Sequence, residues 1–125
     1  MADVVKVTNK GQDITTAALV ASDAKWVAWG VLAESAAAIT DTDLESEQDS
    51  RVAGTQSQQE GDVANDTYRV VGTVTAGASR TIKEMGIFDA EAAGNLYLRA
   101  TFADIGVNEN DKVQFTTDVK YADGS

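Results

Sequence analysis

The sequence predicts an all-β, mainly antiparallel fold: a small β-sandwich or barrel-like domain of six to seven strands, with one short helix and an N-terminal arm. Apolar and polar residues alternate in four successive runs of the second half, and glycine-bearing turns separate the first three runs. Shorter extended segments precede them. The 125 residues suffice for one domain, with residues 1–24 as an arm or first strand and residues 25–125 as the sandwich.

The second half gives the clearest pattern. In its first run Tyr68 and Val74 share one face, and in its second run Glu84 falls on the same face as Ile82 and Phe88. Because alternation with a period of two is typical of strands, and short turns join antiparallel neighbours, these runs predict an antiparallel meander. The four runs are Thr67–Thr75, Arg80–Phe88, Leu96–Phe102 and Val113–Tyr121.

The first half is less regular. Val4–Thr8 fits a short strand or an arm, and Ile14–Ser22 fits either state, because its alanines favour helix and its β-branched residues favour strand. Lys25–Gly30 and Arg51–Gln58 are typical of extended segments. Thr40 or Asp41 is a suitable N-cap, and acidic residues follow in the first turn after it. Asp41–Glu47 is therefore predicted to be the one short helix.

Composition excludes most catalytic and cofactor chemistry. The chain contains no Cys, no Pro and no His. Zinc fingers, histidine-ligated haem, disulfide frameworks and Ser-His-Asp or Cys-His catalysis all need Cys or His. No paired carboxylates or glycine-rich nucleotide loops compensate for this, so we expect no enzyme, no catalytic residues, no metal and no cofactor.

Charge limits the partners. Lys and Arg total 10 against 20 for Asp and Glu, which gives a net charge of −10, and the basic residues are scattered singly. Such a surface repels phosphate backbones and anionic lipids, so we expect neither nucleic acid nor a membrane as partner. The beginning of the chain lacks a leader pattern and no apolar window approaches the length of a membrane span.

One loop carries oxygen ligands of the kind that calcium prefers. Asp104, Asn108, Glu109, Asn110 and Asp111 lie close in sequence. Their spacing differs from the twelve-residue calcium loop, and the composition is equally typical of a solvated turn between strands. The sequence favours the turn and leaves calcium binding open.

Two further features are candidates for structural or interface roles. Glu84, in mid-strand among apolar residues, should either pair with Arg51, Arg69 or Arg99, or lie on an edge strand in contact with water. Trp26 and Trp29 could stack on a sugar or base, but aromatic residues beside Val and Ala more often belong to a core or interface.

Several segments together resemble small structural proteins of tailed-bacteriophage virions, and their order is similar to the N-terminal domain of phage tail-collar fibres. The resemblance runs from about Lys25 to Tyr121, and its distinctive part is the hairpin of Glu84–Ala90 and Gly94–Phe102. The other segments are Lys25–Gly30, Asp41–Glu45, Arg51–Gly54 and Asn65–Thr73.

The resemblance implies a non-enzymatic virion protein that is made in the cytoplasm of the host bacterium. The sequence has no fibre shaft after Ser125, so we expect a capsid decoration (cement) protein, or alternatively a small tail, baseplate or fibre-attachment protein. The expected partners are the major capsid protein or other virion proteins, with a homotrimer as the assembly. The candidate interface or structural residues are Trp26, Trp29, Arg51, Glu84, Phe88 and Arg99.

Overall fold

A computed structural model describes residues 4–121 of the chain. Within them lie one helix and seven strands, in agreement with the predicted all-β class and strand number. The elements are α1 (Asn9–Val20), β1 (Trp26–Gly30), β2 (Glu47–Ala53), β3 (Thr55–Gln59), β4 (Thr67–Thr75), β5 (Arg80–Phe88), β6 (Leu96–Val107) and β7 (Lys112–Lys120).

The strands form two antiparallel sheets that pack face to face. Sheet A has the order β2-β1-β5-β6, and sheet B has the order β3-β4-β7. Between them lies an apolar core in which Trp29, Tyr68 and Ile87 are fully buried. The arrangement is a small β-sandwich, because each sheet places one apolar face against the other.

The predicted meander is confirmed only for the β5–β6 hairpin and is wrong for the other pairings, although its strand limits are nearly right. β4 pairs with β7 and β5 pairs with β6, so the connection after β4 crosses from sheet B to sheet A instead of forming a hairpin. The turn at Ala76 bonds to the β6–β7 turn instead: Ala76 N–H donates to Asp111 O, and Asn110 N–H donates to Ala76 O, both at 2.8 Å. Local turn composition does not specify which sheet the next strand joins.

The helix lies in a different place from the one predicted. Asp41–Ser46 is irregular and Glu47 begins β2, whereas residues 9–20, expected as arm or first strand, form α1. Thr8 caps α1 by accepting a hydrogen bond from Gly11 N–H at 3.0 Å. Residues 1–3 of the expected arm lie outside the described residues.

Tertiary contacts explain why the segment that fitted two states is helical. The buried Thr16 hydroxyl donates to Asn65 O at 2.7 Å, and the Gln58 amide donates to Asp13 at 2.8 Å. The Gln56 amide donates to Leu19 O in the last turn and to Ser22 O just after the helix. Polar side chains of β3 therefore hold the helix, although Ile14 remains 63% exposed.

β-Bulges change the predicted faces of one strand. The alternation of β4 is confirmed, since Tyr68, Val70 and Val74 are all buried. In β5 the register shifts between Ile82 and Glu84, so Ile82 lies with Met85 and Ile87 in the core while Glu84 lies on the other face. The extended segment predicted at Arg51–Gln58 is divided between two strands, because Gly54 separates β2 in sheet A from β3 in sheet B.

Asp66 organises the loop before β4. Its carboxylate accepts hydrogen bonds from the N–H groups of residues 61, 62 and 63 and from the Thr67 hydroxyl, at 2.7–3.2 Å. Burial alone would raise the pKa of Asp66, but these hydrogen bonds outweigh it and lower the pKa to about 2. The ionised carboxylate is thus part of the folded loop.

We expect acid to weaken the fold through this group. The pKa of Asp66 is lower in the folded chain than its ordinary value of 3.8, so its stabilisation is present above that value and is lost as the pH falls towards about 2. Urea unfolding between pH 6 and pH 2 should show a steeper loss of stability for the natural chain than for Asp66→Asn. Parallel curves for the two proteins would contradict this assignment.

Candidate functional site

The connection between β1 and β2 covers the outer face of sheet A. This connection, residues 31–46, is called the cover loop below. Its base is closed by a hydrogen bond from Val31 N–H to Ser46 O at 3.1 Å. Near its end, Leu44 is buried against Ala28 and Phe88, which form a second, smaller apolar cluster on this face. The sheet is therefore covered on both faces at this point.

Glu84 lies beneath the cover loop and is fully buried. It pairs with Gly30 of β1 and Thr101 of β6, so its strand is central and the edge-strand alternative is wrong. One carboxylate oxygen accepts the Arg99 Nε–H at 2.8 Å. The two oxygens also accept the N–H groups of Glu45 at 3.1 Å and Ser46 at 3.0 Å. Glu84 thus joins the central strand to the loop above it.

Arg99 on β6 supplies the positive charge of this network. Its side chain is only 2% exposed. Besides Glu84, it donates through Nη1 to Asp41 at 3.1 Å and through Nη2 to Ser35 O at 3.1 Å. Burial would lower the pKa of Arg99, but the hydrogen bonds to Glu84 and Asp41 raise it above its usual value. One guanidinium therefore holds two separate points of the cover loop.

The loop is also fastened to itself. The two Glu45 oxygens accept the N–H groups of Glu34 at 2.7 Å and Ser35 at 2.9 Å. Asp41 accepts the Ala38 N–H at 2.8 Å, and this bond together with Arg99 lowers the pKa of Asp41. Among residues 4–121, every buried side-chain nitrogen or oxygen has a hydrogen-bond partner. The polar network is thus complete, as a buried network must be to avoid a large desolvation penalty.

Gly30 is required beside the network. A Cβ atom at this position would overlap the Glu84 carboxylate. Only a residue without a side chain therefore lets Glu84 lie against β1 while it reaches the cover loop.

The fastened loop presents an apolar tip. Ile39 is completely exposed and Leu32 is 40% exposed. The three consecutive Ala residues at positions 36–38 are exposed as well. Between the tip and the start of β6 lies an open cavity of about 360 Å³, lined by Ala37, Ala38, Ile39, Asp41, Leu96, Tyr97, Leu98 and Arg99. The tip, called the Ile39 surface below, comprises Ala36–Ile39 and this cavity wall.

Arg51 and Phe88 form a second structural pair. The Arg51 guanidinium lies 3.5 Å from the centre of the Phe88 ring and contacts Glu47 through two hydrogen bonds of 2.8 and 2.9 Å. It also donates to Ala90 O and Ala93 O, so it holds the β5–β6 turn. Arg69 pairs with Asp118 at 2.7 Å on the surface of sheet B. Of the three partners predicted for Glu84, only Arg99 contacts it.

The two tryptophans differ in burial. Trp29 is fully buried in the core and its indole N–H donates to Asp49 at 2.9 Å, so it cannot stack on a ligand as it lies. Trp26 is partly buried and packs against the smaller apolar cluster with Lys25 over its ring. The interpretation as core residues is confirmed for Trp29.

Sequence reasoning missed Asp49. Its backbone has a φ of 65° at the point where the β1–β2 register shifts, and its carboxylate accepts from Trp29, from Arg80 and from Gly77 N–H. Burial would raise the pKa of Asp49, but these hydrogen bonds lower it. In the sequence Asp49 merely follows several other acidic residues, and only the bulge brings its side chain to the indole.

The acidic loop at residues 104–111 forms the turn after β6. Asp111 accepts the Asn108 N–H at 2.7 Å, and Asn110 has a φ of 72°. Within residues 4–121, no group of three or more Asp or Glu side chains is placed to hold a metal ion. In the same range, no helix has both the length and the apolar character needed to cross a membrane.

Comparisons of the chain with protein-family models, with curated proteins and with solved structures find no match.

Replacing Arg99 should strongly destabilise the protein. Arg99→Met leaves Glu84 as a buried charge without its cation, a change that typically costs about 3–5 kcal/mol. The matched control is Arg69→Met, which breaks an ion pair whose side chains are 35% and 43% exposed and should cost about 0–1 kcal/mol. Urea unfolding of both variants measures the difference, and equal losses would show that the buried network does not stabilise the fold.

Proposed function

We propose that this chain is a non-enzymatic structural protein of a bacteriophage virion, and that it acts as a capsid decoration protein that binds the outside of the head. The observation that carries the proposal is the cover loop, which a buried ion pair fastens to the sheet while its tip leaves Ile39 completely exposed. The proposed role is binding through a preformed surface.

A fastened loop is suited to binding because little conformational entropy is lost when a partner covers it. Apolar side chains at the centre of an interface, surrounded by polar residues, commonly provide most of the binding free energy. Exposed Glu34, Asp43 and Glu45 lie along the same loop as Ile39. The complementary partner surface is therefore an apolar depression bordered by basic side chains, and we assign it to the major capsid protein.

The sequence resemblance supports the same role. Its most distinctive segment, Glu84–Phe102, forms the β5–β6 hairpin that carries both Glu84 and Arg99. The residues that resemble virion proteins are thus the residues that hold the cover loop. The alternative role, attachment of a tail or baseplate fibre, would use the same surface on a different partner.

The copy number of the chain in its parent virion tests both roles. Quantitative mass spectrometry against the major capsid protein should give a number on the order of hundreds, near one copy per capsid subunit, because decoration follows the capsid lattice. About three to a few tens of copies would favour the tail role. Absence from the virion would refute the proposed function.

Replacing Ile39 should weaken binding without weakening the fold. Ile39→Asp places a charge at the centre of the Ile39 surface and should reduce binding to heads that lack this protein by at least tenfold, because a charge at an apolar contact must be desolvated. Ala64→Asp, at an exposed position in another loop, is the control with the same added charge. Cosedimentation with heads measures binding, and equal binding by both variants would exclude the Ile39 surface.

A further inference from the structure

The free edge of β6 is the longest strand edge in the described part of the chain. β6 spans twelve residues and pairs only with β5, with register shifts opposite Ile82–Glu84 and Ile87–Phe88. Its sequence, Leu96–Val107, contains no Pro and no Lys, which natural proteins commonly use to block unwanted strand pairing. The other edge strands are shorter, and β3 has only five residues. In addition, β2 contains three charged residues and β7 has Lys at both ends.

The sandwich is also open beside this edge. β6 and β7 are edge strands of different sheets and are not hydrogen-bonded to each other. Phe102 and Phe115 pack against each other across the gap with ring centres 6.0 Å apart, yet both remain partly exposed. Ile105 and Val113 are likewise only partly buried at the margin of the core. An additional strand at β6 would cover apolar surface as well as backbone groups.

The same chain carries a segment suited to this edge. Residues 4–8 (Val-Val-Lys-Val-Thr) precede α1 and expose their apolar side chains, with Val4 81%, Val5 82% and Val7 42% exposed. Four of the five residues are β-branched, and Thr8 already has extended backbone angles. These five residues are only a part of the N-terminal arm predicted from the sequence, and they alone are called the arm below.

Charge favours pairing of the arm with β6 over pairing with β7. The arm carries one basic residue, Lys6, and no acidic residue. β6 carries Asp104, whose side chain is 62% exposed and reaches Lys83 only at 3.9 Å, whereas β7 begins and ends with Lys. Lys6 beside Asp104 would be a favourable cross-strand pair.

We propose that the arm of one copy adds as a strand to the β6 edge of a second copy. Such a contact is head-to-tail, because the arm and the edge are different surfaces, and repeated contacts of this kind form a closed ring where the rotation between copies closes. Each copy in the ring gives one arm and receives one. This inference does not depend on a virion role or on the Ile39 surface.

Oligomeric state tests the proposal directly. Light scattering after size-exclusion chromatography should give a whole multiple of the chain mass, two or more, for the natural protein and one chain mass for Val5→Asp/Val7→Asp. Ile14→Asp is the matched control, because Ile14 is 63% exposed on the helix outside the arm, and it should keep the mass of the natural assembly. Far-ultraviolet circular dichroism should show all three proteins folded. A monomeric natural protein, or an oligomer that survives the double substitution, would overturn the proposal.

Cross-linking then locates the contact. The chain contains no Cys, so single cysteines can be introduced without background. Val5→Cys and Ala103→Cys proteins, mixed under mild oxidation, should form a disulfide-linked pair of the two different chains. A mixture of Val5→Cys and Thr55→Cys, whose cysteine lies on the edge strand β3, should form at least tenfold less of the disulfide-linked pair. Equal yields with both partners would refute β6 as the acceptor.

Discussion

The buried Glu84–Arg99 pair determines the shape of one whole side of the molecule. Charges removed from water are costly unless their hydrogen bonds are replaced. Neither strand neighbour supplies enough donors and acceptors, and Gly30 supplies no side chain at all. The replacement comes from the cover loop, whose Glu45 and Ser46 N–H groups bind the Glu84 carboxylate and whose Asp41 and Ser35 bind the Arg99 guanidinium. The loop can satisfy both charges only by lying across the sheet.

Elsewhere in the molecule the arginines also pair with carboxylates, and the outer surface remains acidic. All four arginines contact a carboxylate within 4 Å, and three of them, at positions 51, 80 and 99, also hold a loop or a bulge in place. Together with Lys10, Lys83 and Lys120, seven of the ten basic residues lie within 4 Å of a carboxylate, while the chain has twenty acidic residues. Within residues 4–121, most of the acidic residues outside these pairs are exposed, Asp66 being buried, and the exposed ones favour basic partner surfaces over acidic ones.

Strand positions could be predicted from the sequence because alternation is a local signal. The limits of β4 and β5 were predicted to the residue, and Trp26–Gly30 nearly so. Partition into two sheets could not be predicted, because it depends on which distant strands pair. Ile14–Ser22 could not be decided between helix and strand, because the helix is supported by Gln56 and Gln58, about forty residues away. For the candidate site, the Glu84 pairing with an arginine was predicted, but the choice of Arg99 depends on the register of β5 against β6, and nothing local marked the exposure of Ile39.

The two apolar surfaces differ in what binding costs. The Ile39 surface is already ordered, so a partner gains contact with little loss of freedom. Ordering the five residues of the arm costs about 5–10 kcal/mol of backbone entropy. Burial of its three valines returns roughly 5–9 kcal/mol. Backbone hydrogen bonds to β6 add about 0.5–1.5 kcal/mol each. A single arm contact is therefore close to balance, whereas a closed ring of copies makes several contacts for one assembly. The arm accordingly suits reversible association between identical copies, and the fastened loop suits recognition of a separate, larger partner.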